Sequence, residues 1–100
     1  MAKLFKFKRF VKIMGVRLKI KYVKELLHDG DEELAGAYNH DTHTIFISKA
    51  MDRGSLHSTL CHEVLHGALA ISGAGTLLSE KDEEVIVSAL EVALRDYLFF

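Results

Sequence analysis

The chain has 100 residues, 49% hydrophobic and 27% charged, with a formal net charge of −1 and one cysteine. That length supports a single core, so residues 1–100 are read as one domain, and the composition excludes a disordered chain and an intramolecular disulfide. No run approaches the roughly 18 apolar residues of a membrane span, and lysines interrupt the apolar residues of Met1–Lys12, so a soluble, cytoplasmic protein without a signal peptide is expected.

The first 24 residues hold nine basic side chains (Lys3, Lys6, Lys8, Arg9, Lys12, Arg17, Lys19, Lys21 and Lys24) and no acid, whereas all 14 acids lie further on. Such a segment suits nucleic acid or an acidic partner. No basic-aromatic motif accompanies it, however, so a solvated strand face guarding an exposed edge is the favoured reading. Leu4–Ile13 is a strand candidate with loose alternation, and Gly15 can make the turn after it. Val16, Leu18, Ile20 and Tyr22 then alternate with Arg17, Lys19 and Lys21, the period of a half-buried strand. Asp29-Gly30-Asp31 marks a loop. Leu34–Tyr38 and His43–Ser48 flank Asn39-His40-Asp41-Thr42, which predicts a hairpin with a four-residue turn.

The remainder reads as helical. Ser55 is the expected N-cap of a helix from Leu56 to about Ile71, with Leu56, Leu60, Val64 and Ala68 on one stripe. Ser72-Gly73-Ala74-Gly75 ends it. Ser79 with Asp82 three residues later resembles a capping box and opens a second helix to about Leu98, carrying Val87, Leu90, Leu94 and Leu98 in register. The order β-β-β-β-α-α predicts an α+β fold, a small antiparallel sheet of about four strands packed with two helices.

His62-Glu63-Val64-Leu65-His66 is an H-E-x-x-H sequence within the first helix. Residues four apart share a helix face, so the two imidazoles can converge on one zinc ion. Glu63 lies about 100° further round, beside the ion, where it can take a proton from a water that zinc has acidified. A glutamate and two imidazoles in the most apolar helix are costly unless paired or metal-bound. A metzincin would need Gly at 69 and His or Asp at 72; Leu69 and Ser72 exclude that class. The third ligand is therefore sought among Glu80, Asp82, Glu83 and Glu84. Glu83 heads the stripe of Val87, Leu90 and Leu94, whereas Glu84 heads that of Ser88, Glu91 and Arg95, so His62, His66 and Glu83 are the expected set and Glu84 the alternative.

Cys61 points about 100° away from His62 and is expected to be a small buried thiol. His57 lies off the ligand stripe, and His40 and His43 flank a turn, where solvation is expected. Tyr38 and Tyr97 are read as core residues first and oxyanion donors second.

HEVLH, preceded by a hairpin ending in Thr44-Ile45-Phe46-Ile47 and followed by a helix opening Asp82-Glu83-Glu84, resembles the compact zincins of phages and prophages. These are related to the ImmA/IrrE-type metallopeptidases and similar to the minimal gluzincins. The resemblance covers roughly residues 16–98. It implies a zincin-like fold, a zinc ion, and hydrolysis of a protein or peptide with Glu63 as general base. It also implies an edge strand beside the active-site helix that holds the substrate backbone, a role for Thr44–Ser48. The alternative is a non-catalytic zinc-stabilised interaction module. Glu63 favours catalysis, because a purely structural site has no use for an acid there. Oligomeric state is left open.

Overall fold

The computed structural model describes residues 9–24, 26–28 and 32–94. Met1–Lys8, the Asp29-Gly30-Asp31 loop, Tyr97 and Leu98 lie outside the described residues. Strand β1 (Phe10–Ile13) turns through Met14 and Gly15 into β2 (Val16–Val23), and the two pair antiparallel with Val11 opposite Leu18. Gly15 sits at φ 80°, a left-handed conformation that costs glycine little because it has no Cβ. Strands β3 (Leu26–His28) and β4 (Glu32–Leu34) form a separate two-stranded ladder. The expected hairpin is β5 (Gly36–Asn39) with β6 (Thr44–Ser48), and His43 belongs to its turn, at φ 49°, not to the strand.

The main sheet has the order β1-β2-β6-β5, and β6 runs parallel to β2 with Ile20 opposite Ile45. The sheet is therefore mixed, which corrects the expectation of an antiparallel one. A parallel pair needs a crossover of about a dozen residues or more, and residues 24–43 supply it. The same order corrects the role foreseen for Thr44–Ser48: β6 is interior, and the edges are β1 and β5.

Alternation sends Leu18, Ile20, Ile45 and Ile47 to one face of the sheet. Helix α1 (Arg53–Ser72) covers that face, and its Leu56, Leu60 and Val64 complete the core. Leu18, Ile45, Ile47 and Leu60 are each 0% exposed, and burying a side chain of this kind contributes about 1.5–3 kcal/mol. Two glycines set how closely sheet and helix approach. A Cβ at Gly67 would stand 2.8 Å from Leu18 Cδ1, and one at Gly36 would stand 2.7 Å from Thr59 Cγ2 and 3.0 Å from Glu63 Cγ.

The cap of α1 is Asp52, not Ser55: its carboxylate accepts from the Ser55 backbone N–H at 2.8 Å. A carboxylate serves better there than a hydroxyl one turn later, because it also meets the positive end of the helix dipole. Gly73, at φ 83°, ends the helix as foreseen, and a 3₁₀ turn (Ala74–Leu77) follows. Ser79 Oγ then accepts from the Asp82 N–H at 3.0 Å and opens α2 (Glu80–Leu94).

Helix α2 reverses the usual distribution of polarity. Val87 is its one buried residue among those described, while Val85 is 62% and Val92 70% exposed. Glu83 and Glu91 are instead half-buried against α1. Leu90 and Leu94 are each 37% exposed and do not join the buried core. No helix among the described residues is long and apolar enough to cross a membrane.

Candidate metal centre

The H-E-x-x-H segment occupies the middle of α1, between the β5 edge and α2. One helical turn separates His62 from His66, and their ring centroids are 4.9 Å apart. Glu84 of α2 meets both: Oε1 lies 2.6 Å from His62 Nε2, and Oε2 lies 3.1 Å from His66 Nε2. The other ring nitrogens have carboxylates of their own. Glu91 Oε1 lies 3.0 Å from His62 Nδ1, and Glu83 Oε2 lies 2.6 Å from His66 Nδ1.

An ionised carboxylate accepts, so a ring in the tautomer with hydrogen on Nδ1 donates to Glu91 or Glu83 and keeps the Nε2 lone pair for a metal ion. Donation from Nδ1 to Glu91 and Glu83 fixes the rings. His62, His66 and Glu84 each offer a ligand atom within 4.8 Å of the others, so the group could hold a metal ion.

Glu84, not the expected Glu83, therefore stands with the two Nε2 atoms, and Glu83 is placed at the far nitrogen of His66. Apolar periodicity could not resolve the pair. Successive helical positions diverge by about 100°, yet Glu83 and Glu84 both reach His66, one at each ring nitrogen. Glu91 was not singled out by the sequence as a site residue. Its signal is the seven-residue interval from Glu84, two turns along one face.

His62, His66, Glu84 and Glu91 line a cleft of about 440 Å³, bounded on the strand side by Ala35 and Gly36. Glu63 lines it too but is only 8% exposed. Burial raises its pKa, outweighing the charges of His66 and His62, which lower it. At His62 burial disfavours the charged ring, but the hydrogen bond to Glu91 and the charges of Glu84 and Glu63 prevail and raise its pKa.

The remaining histidines and Tyr38 lie elsewhere. The Tyr38 hydroxyl is 3.0 Å from His40 Nδ1 and 3.5 Å from His43 Nδ1, at the hairpin turn and outside the cleft lining. Burial raises its pKa. Cys61 is fully buried, the small interior thiol expected of it, and His57 does not line the cleft. No family model, no curated protein and no solved structure matches the chain.

Proposed function

We propose that the chain is a zinc-dependent peptidase in which His62, His66 and Glu84 hold the ion and Glu63 is the general base. The observation that carries this reading is the single Glu84 carboxylate on Nε2 of both motif histidines, with Glu63 buried beside them. Two imidazoles and a carboxylate are a donor set that suits zinc in hydrolytic sites. Bound there, the ion supplies Lewis-acid activation of a water and of the substrate carbonyl. Glu63, made more basic by burial, accepts the water's proton on a carboxylate oxygen and delivers it to the leaving amine. Glu83 and Glu91 keep the imidazoles oriented by accepting from Nδ1.

The β5 edge gives the substrate a place. Ala35 O accepts from the Ser48 N–H at 2.9 Å, so by the alternation of an antiparallel ladder the backbone groups of Gly36 and Tyr38 point away from β6. An extended peptide added to that edge runs past Glu63 and the histidines. The role anticipated for Thr44–Ser48 thus passes to Gly36–Tyr38. The likeness of HEVLH to the phage zincins supports the same reading.

A second reading, a non-catalytic module held together by its metal, draws on α2, which meets α1 through four carboxylate–imidazole contacts. Proteolysis separates the two. The peptidase cleaves an unfolded protein such as casein, loses that activity to a zinc chelator and regains it with one equivalent of zinc. A fully zinc-loaded chain that cleaves none of a broad peptide library favours the module.

The ligand set has its own test, competition for zinc with a chromophoric chelator. Glu83→Ala and Glu91→Ala each weaken binding about 10–100-fold, as loss of a ring-orienting partner does. Glu84→Ala weakens it further. Unchanged affinity in Glu84→Ala with a large loss in Glu83→Ala returns the third ligand to Glu83.

A further inference from the structure

The sheet face turned away from α1 gathers the basic residues of the first two strands. Lys12 stands opposite Arg17, and Lys19 and Lys21 follow Arg17 at alternate positions of β2. All four are exposed. The register also brings in aromatic rings that linear order separates from these charges. Phe10 lies opposite Lys19, is 45% exposed, and carries the Arg17 guanidinium 4.0 Å above its ring centroid. Phe46 stands beside Lys21 on the parallel neighbour, half-buried. Strands β1, β2, β5 and β6 contain no acidic residue.

We propose that this face binds single-stranded nucleic acid, with phosphates on Lys12, Lys19 and Lys21 and a base stacked on the Phe10–Arg17 pair. A surface that serves solubility alone mixes both signs of charge, whereas these strands carry one. Side chains on one face of a strand repeat at roughly 6.6 Å, so the β2 cations form a regular row along which a phosphate backbone can lie. Arginine stacked on a ring keeps its edge donors for phosphate or base. A flat sheet face bearing rings favours a single strand over a duplex, because only unstacked bases offer their faces to it. The face lies on the opposite side of the sheet from the His62–His66 cleft, so this binding does not depend on the peptidase reading.

Fluorescence anisotropy of the full chain with a labelled oligothymidylate of about 16 nucleotides tests the proposal. Binding is expected, with log K falling against log salt by roughly 0.7 per phosphate contact, so a slope of roughly −2 to −3. Lys19→Glu with Lys21→Glu weakens it by at least about tenfold and flattens the slope. Phe10→Ala weakens it by about tenfold with little change in slope. Lys81→Glu, a charge reversal on α2, leaves affinity within about twofold. Unchanged circular dichroism and melting temperature show that each variant is folded. No binding at low salt, an equal loss in the Lys81 variant, or equal affinity for duplex or phosphatidylserine vesicles overturns the proposal.

Discussion

His62→Ala and His66→Ala are each expected to purify without zinc, where the unaltered chain carries close to one ion. Either change removes one of three donors and leaves the facing carboxylates short of their cation. Structural zinc sites contribute about 10–16 kcal/mol of apparent binding free energy in small peptides at neutral pH, so losing a ligand is felt by the fold as well as the site. The metal-free protein also suffers. In His62→Ala the half-buried Glu91 loses a charged hydrogen bond worth about 1.5–3 kcal/mol, and in His66→Ala the same befalls Glu83. For a domain of this size each kcal/mol shifts the melting temperature by roughly 4–8 °C, so a drop of the order of 10 °C is expected even without metal. Elemental analysis and thermal melts measure both effects. Full metal retention in both variants removes these histidines from the ligand set.

Glu63→Gln should keep zinc and fold while hydrolysis falls by about 10²–10⁴-fold. The amide preserves shape and one acceptor oxygen, but it cannot take a proton from water at neutral pH. Stability should not suffer. Burial raises the Glu63 pKa above its ordinary 4.5, so the native state holds this proton more tightly than the unfolded chain. The residue therefore weakens the fold once pH passes the unfolded value, and the penalty is complete above the raised one. Glutamine carries no such charge, and the melting temperature of the metal-free variant at pH 7 should equal or exceed that of the parent. A Gln variant that cleaves at the parental rate would falsify the assignment of Glu63 as base.

Local spacing was what the sequence could show. The i, i+4 histidines and the period-2 run of β2 are properties of a few neighbouring residues, and α1 and β2 display them directly. The direction of β6 beside β2 is not local. It depends on how residues 24–43 route the chain, and no alternation within Thr44–Ser48 encodes it. The edge strand was misplaced for the same reason. Asp52 and Ser55 both have cap chemistry, and only the backbone path of α1 distinguishes them. Glu83 and Glu84 were decided by an apolar stripe assumed to face inward. In α2 both glutamates reach His66, Glu83 at Nδ1 and Glu84 at Nε2, so an apolar stripe does not choose between them.

The reversed polarity of α2 also bears on which changes the chain can survive. Most small folds can shed their reactive side chains and persist as inert scaffolds, because the groups that do chemistry are not those that hold elements together. Here the histidines and carboxylates of the candidate metal centre also join α2 to α1. Ordering each residue of a helix costs about 1–2 kcal/mol of backbone entropy, and the one fully buried side chain of α2, Val87, recovers only about 1.5–3 kcal/mol. Among the described residues, Glu83, Glu84 and Glu91 add contacts from this helix to two imidazoles. A descendant that lost those histidines would have to rebuild the contact from apolar residues or let the helix go.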